Sequence, residues 1–235
     1  MSRKNAAKNK KRILIVDDHP MMRQGLVQLI GAESDLAICG EAENAERALD
    51  VIGTLKPDLV LADISLPGKS GLELIKDFQA VQPGLPVLVI SMHDESLYAE
   101  RVLRAGGRGY IMKQEGGKKL MQAIRQVLDG KIYVSEKISA EILEMFSGHR
   151  PAGESSPIEK LSDREFEIFQ LIGQGKRAKE IADKLYLSVK TVEVHRANIK
   201  KKLTLGSASE LMRFAVRWSE SRVAGAQPNH EAKNG

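Results

Sequence analysis

The stretch PDLVLADISLPG, residues 57–68, combines a short apolar run with a carboxylate at its end. Residues 59–62 have the length and composition of a buried strand, and Pro67 and Gly68 then end the run. An ionised carboxylate that leaves water costs several kcal/mol unless a partner compensates it. The sequence therefore predicts a strand that delivers Asp63 to a site completed by other parts of the chain.

Apolar runs and helical segments alternate along the first half of the chain. Five strands are predicted at 12–17, 36–40, 59–63, 87–91 and 109–112, and five helices at 21–30, 45–55, 71–81, 97–105 and 118–128. This strict alternation indicates a parallel sheet covered on both faces, because parallel strands need crossover connections. The predicted fold of this half is a doubly wound (βα)5 domain of the α/β class.

A second, all-α module is predicted in the C-terminal third. Residues 147–157, SGHRPAGESSP, read as a linker, and Ser162 and Ser207 each stand three residues before a glutamate, the spacing of a capping box. Two more helices, at 178–185 and 188–203, fit between the helices that these boxes begin. The predicted parts are a basic N-terminal extension (1–11), the α/β domain (12–130), a linker with a short helix at 135–146 (131–156), a four-helix module (157–222) and a disordered tail (223–235).

The charge is distributed unevenly along the chain. Residues 13–155 carry 15 basic against 21 acidic side chains, whereas residues 156–222 carry 14 basic against 9 acidic ones. An acidic body followed by a basic module suits cation chemistry in the first and nucleic-acid binding in the second. A single cysteine, Cys39, excludes an intrachain disulfide. With no apolar run near ~20 residues and no secretory signal, a cytoplasmic protein without membrane association is expected.

Polar residues follow four of the predicted strands at the sheet edge where doubly wound folds place their sites. Asp17 and Asp18 end the first strand, Asp63 the third and Ser91 the fourth, and Lys113 follows the fifth. Three converging carboxylates repel one another unless a hard cation neutralises them, which favours Mg²⁺. Taken singly, each acid could instead cap a helix or turn, and Lys113 could be a solvated surface residue.

These residues belong to motifs that resemble the receiver domain of bacterial two-component response regulators. ILIVDDHP, LVLADISLPGKSG, VLVISMHD and RGYIMK occur in the family's order over residues 12–130. The resemblance implies a flavodoxin-like fold and an aspartate, here Asp63, that accepts a phosphoryl group from a sensor histidine kinase. It also implies an Mg²⁺ site of Asp18, Asp63 and the Ser65 carbonyl with Asp17 acting through water, phosphoryl contacts from Ser91 and Lys113, and a switch role for Tyr110, which could otherwise be a buried core tyrosine.

The basic module contains an amphipathic helix that Ser188 is suited to cap. Helical spacing places Val189, Val192, Ile199 and Leu203 on the side expected to be buried. The opposite side carries Lys190, Glu193, Val194, Ala197, Asn198 and Lys201. With the preceding helix at 178–185 this forms a helix-turn-helix whose second helix fits the major groove of DNA, although a lone basic helix is more often a solvated surface.

Individual side chains of this helix suit different parts of a DNA duplex. Glu193 could accept a hydrogen bond from cytosine and Val194 could contact a thymine methyl group. Lys190, Thr191 and Lys201 are suited to phosphates. His195 is expected to be structural or to contact a phosphate.

The longer match LSDREFEIFQLIGQGKRAKEIADKLYLSVKTVEVHRANIKKKL resembles the LuxR-type DNA-binding domain. Joined to a receiver, it identifies the chain as similar to response regulators of the NarL/FixJ class. The resemblance implies double-stranded operator DNA as a partner, RNA polymerase as a further candidate partner, and a homodimer on DNA. Its dimer contact would use Leu211, Phe214 and Ala215 of the last helix, unless these residues pack inside the module.

The sequence therefore predicts a phosphorylation-activated transcription regulator and not an enzyme. The main rival, a phosphatase that works through an aspartyl-phosphate, usually needs a second carboxylate two residues after the nucleophile, where this chain has Ser65. A flavodoxin-like cofactor binder would need a Gly- or Ser-rich phosphate loop after the first strand, and Asp17 and Asp18 have the wrong charge for that.

Overall fold

The computed structural model describes residues 10–146 and 157–225, and the chain divides into two compact units, Met1–Ala152 and Gly153–Gly235. The predicted basic extension, apart from its last two residues, most of the predicted linker cluster at 147–157, and residues 226–235 of the predicted tail lie outside the described residues. The boundaries between the predicted parts stay a prediction.

The first unit contains a five-stranded parallel sheet, as the alternation of strands and helices predicts. The strands are β1 (Lys11–Val16), β2 (Leu36–Ala42), β3 (Leu59–Ala62), β4 (Val87–Ser91) and β5 (Gly109–Met112). Their spatial order is β2-β1-β3-β4-β5, so β1 and β3 are neighbours at the centre, and β5 is an edge strand. The doubly wound α/β class is therefore confirmed.

Helices connect the strands and bury an apolar face against the sheet. They are α1 (Pro20–Gly31), α2 (Ala45–Leu55), α3 (Gly71–Val81), α4 (Glu95–Arg104) and α5 (Gly116–Leu128), and α6 (Glu136–Phe146) follows. Strands β3 and β4 are buried along their whole length, which explains their continuous apolar sequences. These buried strands give the site at their carboxyl ends a rigid base.

Local capping fixes where the helix after Asp63 begins. Ser70 accepts a hydrogen bond from the Glu73 amide, and Glu73 returns one to the Ser70 amide, which forms a complete capping box. Gly71 then lies so close to β3 that an added Cβ would stand 2.7 Å from the Cα of Ile64 and closer still to the carbonyl oxygen of Asp63. Only glycine fits this approach between α3 and the strand end.

Among its described residues, 157–225, the second unit contains a short 3-10 turn and the four predicted helices. The helices are α7 (Asp163–Gly173), α8 (Ala178–Leu185), α9 (Val189–Lys202) and α10 (Ala208–Gly225). Its core brings Phe166 and Phe169 of α7 against Trp218 of α10, with ring centroids 5.7 and 5.4 Å apart. Helix α10 extends to Gly225, so residues 223–225 are helical and not part of a disordered tail as we expected.

Candidate functional site

The carboxyl ends of the strands bring the predicted polar residues together. Asp17 follows β1 and Asp63 follows β3, and the Asp63 amide donates to the carbonyl of Val16, which ties the two strand ends to each other. Ser91 is the last residue of β4, and Lys113 comes directly after β5. Among these, Asp17, Asp63 and Ser91 are buried almost completely.

Lys113 is the cation that the buried carboxylates require. Its Nζ lies 2.7 Å from Oδ2 of Asp17 and 2.7 Å from Oδ2 of Asp63, and its side chain is only 8% exposed. Lys113 therefore bridges the two acids and is not a solvated surface lysine. This ion pair explains how an apolar, buried strand can end on the carboxylate of Asp63.

Burial and charge act in opposite directions on this group of residues. Burial raises the pKa of Asp63, and the neighbouring ammonium of Lys113 only partly opposes that rise. Burial by itself would lower the pKa of Lys113, but the charges and hydrogen bonds of Asp63 and Asp17 outweigh it and raise the pKa. The site thus holds Lys113 protonated, and the contacts of Asp63 with Lys113 and the Ser65 amide do not fully offset the effect of burial on its pKa.

Two residues that the sequence analysis did not single out also contact Asp17. The amide of His19 donates to Oδ1 of Asp17 over 2.8 Å, and Nη1 of Arg23 donates to its backbone carbonyl over 2.6 Å. His19 begins the turn into α1, and Arg23 lies one turn further along that helix. Their closeness in sequence to Asp17 was the only available signal.

The acidic cluster fits a divalent cation. Ligand atoms of Asp17, Asp18, His19 and Asp63 lie within 4.8 Å of one another. Oδ1 of Asp18 is buried and has no hydrogen-bond partner of good geometry, although Nδ1 of His19 lies 2.7 Å away. A buried carboxylate oxygen without a hydrogen bond is what an oxygen-seeking cation would complete. Asp18 does not cap α1, whose N-cap residue is His19.

A hydrogen-bonded network centred on His93 closes one side of the pocket. Nε2 of His93 lies 2.9 Å from Oγ of Ser65, and the His93 amide donates to Oγ of Ser91 over 3.2 Å. The Tyr110 hydroxyl donates to the His93 carbonyl over 2.9 Å, with its ring fully buried. Burial raises the pKa of Tyr110 above its ordinary range, so the phenol stays protonated and can donate. Sequence analysis missed His93, for which its place two residues after Ser91 was the only signal.

In the second unit, α9 presents most of its predicted DNA-contacting side chains to solvent. Ser188 caps the helix by accepting from the Thr191 amide over 3.0 Å, and its Oγ lies 2.7 Å from Oγ1 of Thr191. Thr191 and His195 are half-buried. The exposed members are Lys190, Glu193, Val194, Ala197, Asn198 and Lys201.

Two details of α9 were not predicted: the exposure of Val189 and a hydrogen bond to Glu193. Val192 and Ile199 are fully buried, but Val189, in the first turn of α9, is 46% exposed, so its predicted burial was wrong. Glu193 receives a hydrogen bond of 2.8 Å from Nη1 of Arg196, one turn later. This pair orients the Glu193 carboxylate on the exposed face.

Two of the three apolar residues assigned to a dimer contact on the last helix lie inside the module. Leu211 and Ala215 are 0% exposed, and Phe214 packs against Phe169 with ring centroids 5.9 Å apart. Their burial follows from the packing of α10 along α7. Leu211 and Ala215 therefore belong to the core, so their assignment to a dimer contact was wrong, whereas Phe214 is half-buried.

Lys202, next to the exposed Lys201, has a structural contact. Its Nζ lies 2.6 Å from Oε2 of Glu165, which also caps the first turn of α7 through the Ser162 amide. Burial alone would raise the pKa of Glu165, but the Lys202 ammonium and the Ser162 amide outweigh it and lower the pKa. Adjacent lysines on α9 thus differ: Lys202 ties α9 to α7, and Lys201 faces solvent.

Within residues 10–146 and 157–225, no helix is both long enough and apolar enough to cross a lipid bilayer.

Comparison with known families assigns both units. Residues 13–125 match the response regulator receiver domain, and residues 159–215 match the bacterial regulatory proteins of the luxR family. The response regulator GacA of Pseudomonas aeruginosa is 36% identical over 206 residues, which cover 88% of this chain and 95% of that protein. The oxygen regulatory protein NreC of Staphylococcus aureus is 37% identical over 210 residues, which cover 88% of this chain and 97% of that protein.

Solved structures with a similar fold include the response regulator RcsB. A structure of RcsB from Salmonella typhimurium aligns with a TM-score of 0.62 and 25% identity, covering 89% of this chain and 98% of that one. A complex of RcsB with DNA aligns with a TM-score of 0.54 and 26% identity, covering 88% and 98% of the two chains.

Proposed function

The chain belongs to the two-component response regulators of the NarL/FixJ class, and we propose that phosphorylation of Asp63 controls its binding to operator DNA. Members of this class are DNA-binding transcription regulators and not enzymes. The observation that carries the proposal is the buried Asp63 carboxylate. It lies beside Lys113, Asp17 and Asp18 at the carboxyl ends of the strands.

Asp63 is the nucleophile in the proposed phosphorylation. One of its carboxylate oxygens attacks the phosphorus of a phosphohistidine on a sensor histidine kinase, so that an O–P bond forms as the P–N bond breaks. The imidazole of the kinase leaves with the electron pair of that bond. Burial raises the pKa of Asp63, so its carboxylate oxygens are more basic than those of an exposed aspartate, and the Lys113 ammonium would offset the negative charge that the phosphoryl group adds.

The divalent cation of this site is proposed to be Mg²⁺. Asp17, Asp18, Asp63 and the backbone carbonyl of Ser65 would hold it, with Asp17 acting through water. When bound, Mg²⁺ supplies positive charge that offsets the repulsion between the carboxylate and the incoming phosphoryl oxygens. Ser65 donates its amide to Oδ1 of Asp63 over 3.2 Å, which keeps the loop that bears this carbonyl next to the carboxylate.

Lys113, Ser91 and Tyr110 form the proposed response to phosphorylation. Lys113 moves its hydrogen bond from the Asp63 carboxylate to a phosphoryl oxygen, and the Ser91 hydroxyl donates to another. Tyr110 is the switch residue, since its hydroxyl is bonded to the carbonyl of His93, whose amide donates to Ser91. His93 therefore connects Ser91 to Tyr110 by two hydrogen bonds, so that movement of Ser91 would affect Tyr110.

The second unit binds double-stranded operator DNA through α9. Glu193, Val194 and Ala197 face the base edges in this proposal, and Lys190, Thr191, His195, Asn198 and Lys201 contact the backbone or adjacent bases. The protein would act as a homodimer on DNA, with surfaces other than the buried Leu211 and Ala215. RNA polymerase is a further proposed partner, and the cytoplasm is the proposed location.

A labelling experiment tests this function. The protein is incubated with Mg²⁺ and a small acyl phosphate, and the mass and modified residue are then determined. We expect one phosphoryl group on wild-type protein and on Asp50→Asn, which removes an exposed carboxylate of α2, but none on Asp63→Asn. Removal of Mg²⁺ by a chelator should abolish labelling. Phosphoryl groups retained by Asp63→Asn would show that another residue is the acceptor.

A further inference from the structure

A short segment after α5 returns to the sheet and pairs with its edge. This segment, residues 132–135, is called the β5 strap. The Tyr133 amide donates to the carbonyl of Arg108 over 3.0 Å, and the Tyr110 amide donates to the carbonyl of Tyr133 over 2.8 Å. These bonds form a parallel bridge between Tyr133 and Gly109 and satisfy backbone groups on the open edge of β5.

The sequence of β5 is adapted to this close pairing. An added Cβ on Gly109 would lie 2.6 Å from the carbonyl oxygen of Tyr133 and 3.1 Å from its Cβ. Any larger residue would therefore push the β5 strap away from the strand. Gln126 of α5 also donates its side-chain amide to the carbonyl of Ile132 over 2.8 Å, which fixes the start of the strap.

The other end of the β5 strap is attached to α4. A carboxylate oxygen of Glu95, the first residue of α4, accepts a hydrogen bond of 2.7 Å from the Ser135 amide. Ser135 in turn accepts from the Ile138 amide over 3.3 Å at the start of α6. Ile138 is 5% exposed, and α6 packs against α4. The β5 strap thus holds the start of α6 against α4.

Both attachment points of the β5 strap are connected to residues of the phosphorylation pocket. Tyr110 donates its amide to the β5 strap and its hydroxyl to His93, whose own amide donates to Ser91. Glu95 lies four residues after Ser91, at the end of the loop that contains His93. The groups that hold both ends of the β5 strap are therefore connected to Ser91, one by hydrogen bonds through His93 and the other through the same loop.

We propose that the β5 strap is a clasp that is docked in the unphosphorylated protein and released when Asp63 is phosphorylated. This inference rests on the function proposed above. When the Ser91 hydroxyl turns to the phosphoryl group, its oxygen no longer receives the His93 amide, and the loop from His93 to Glu95 repacks. The docked and released states then differ in hydrogen bonds at Tyr110 and Ser135, which gives phosphorylation the differential free energy that a switch needs.

Release would change how the DNA-binding unit is connected to the first unit. Residues 131–146 would no longer be held on β5 and α4 and would instead lengthen the tether before the second unit. A longer tether lowers the effective concentration of one unit near the other. Release of the clasp would therefore let phosphorylation of Asp63 change the length of the tether that joins the two units.

Hydrogen exchange of individual amides in the full chain tests the clasp. The amides of Tyr110, Tyr133 and Ser135 should be protected in unphosphorylated protein and exchange about tenfold faster after phosphorylation with Mg²⁺ and an acyl phosphate. Glu95→Ala should speed exchange of the Ser135 amide without phosphorylation. The matched control Glu136→Ala, which removes the exposed first glutamate of α6, should not.

The mass of the same sample separates the two hypotheses. If Asp63 carries the phosphoryl group while the three amides exchange at unchanged rates, the clasp is overturned and the proposed function stands. A sample that takes no label overturns the proposed function and, with it, the clasp. Equal exchange of the Ser135 amide in Glu95→Ala and Glu136→Ala would also contradict the clasp, because the Glu95 contact would then contribute nothing.

Discussion

The ammonium of Lys113 lies 2.7 Å from a carboxylate oxygen of Asp63, and both side chains are almost wholly buried. The same ammonium contacts Asp17 at 2.7 Å, so one positive charge serves two buried acids. A buried ion pair is stabilising only relative to the unpaired charges, since removal of one partner leaves an uncompensated charge behind. Lys113 therefore stabilises the site, but its single positive charge does not balance the two carboxylates, so a cation can still bind there.

Lys113→Ala should destabilise the first unit by about 3 kcal/mol in the absence of divalent cations, because Asp17 and Asp63 then repel each other without compensation. Mg²⁺ should restore part of this loss, since the cation substitutes for the missing charge. Thermal denaturation with and without Mg²⁺ measures both effects, with Lys118→Ala of α5 as the control. Mg²⁺ binding should remain largely intact, but phosphorylated Lys113→Ala should not gain DNA affinity. An equal loss in both variants would contradict the proposed role of Lys113.

Gly71→Ala should cost about 2 kcal/mol of stability, because the new methyl group would overlap the backbone of Asp63 and Ile64. The displaced strand end should also slow phosphorylation. Gly53→Ala is the matched control: its position inside α2 has no atom within 4 Å of an added Cβ, so the change should stabilise by about 0.5–1 kcal/mol. Denaturant unfolding measures both. A neutral Gly71→Ala would mean that the close approach of α3 to β3 is not required.

Lys202→Ala should lower stability by about 1 kcal/mol at neutral pH, and Lys201→Ala should not, because only Lys202 contacts Glu165. Since Lys202 lowers the pKa of Glu165, the stabilisation is fully present above the ordinary glutamate pKa of about 4.3 and is lost as the pH falls through the lowered value. The difference between wild type and Lys202→Ala should therefore shrink below about pH 4.3. Unfolding measured from pH 7 to pH 3 tests this, and a difference that does not vary with pH would refute the contact.

Lys201→Ala should weaken binding to all DNA sequences and reduce the slope of log affinity against log salt by about one unit, as for the loss of one phosphate contact. Glu193→Ala should instead change which base is preferred at one operator position. Binding of random and selected duplexes at several salt concentrations measures both, with Lys118→Ala as a charge control. If neither substitution changes DNA affinity or preference, α9 is a solvated surface.

Much of the fold could be predicted from the sequence because its signals are local and repeated. The bounds of α2, α3, β4, β5 and α8 agree with the expectation, since apolar spacing, Ser70 with Glu73, and flanking glycines act within a few residues. The convergence of Asp17, Asp63, Ser91 and Lys113 also followed, because parallel strands all place their carboxyl ends at one edge. Their assignment to a phosphorylation site, which stays a prediction, came from the resemblance of several motifs in order.

Other features were decided only by the tertiary structure. Helical spacing places Val189 and Val192 on one side of α9, but only Val192 is buried in the packed unit, and Val189 is 46% exposed. Leu211 and Ala215 of α10 could belong to the core or to an interface, and only the packing of α7 against α10 shows that they are core.

The sequence by itself determined the order of strands and helices, the edge at which the site forms and the residue types gathered there, because these depend on periodicity and connection. Only the tertiary structure decided that Lys113 bridges Asp17 and Asp63, that His93 joins Ser65 to Tyr110, and that Tyr133 pairs with β5. These contacts join residues far apart in the chain, and their geometry depends on how whole strands and helices pack against one another.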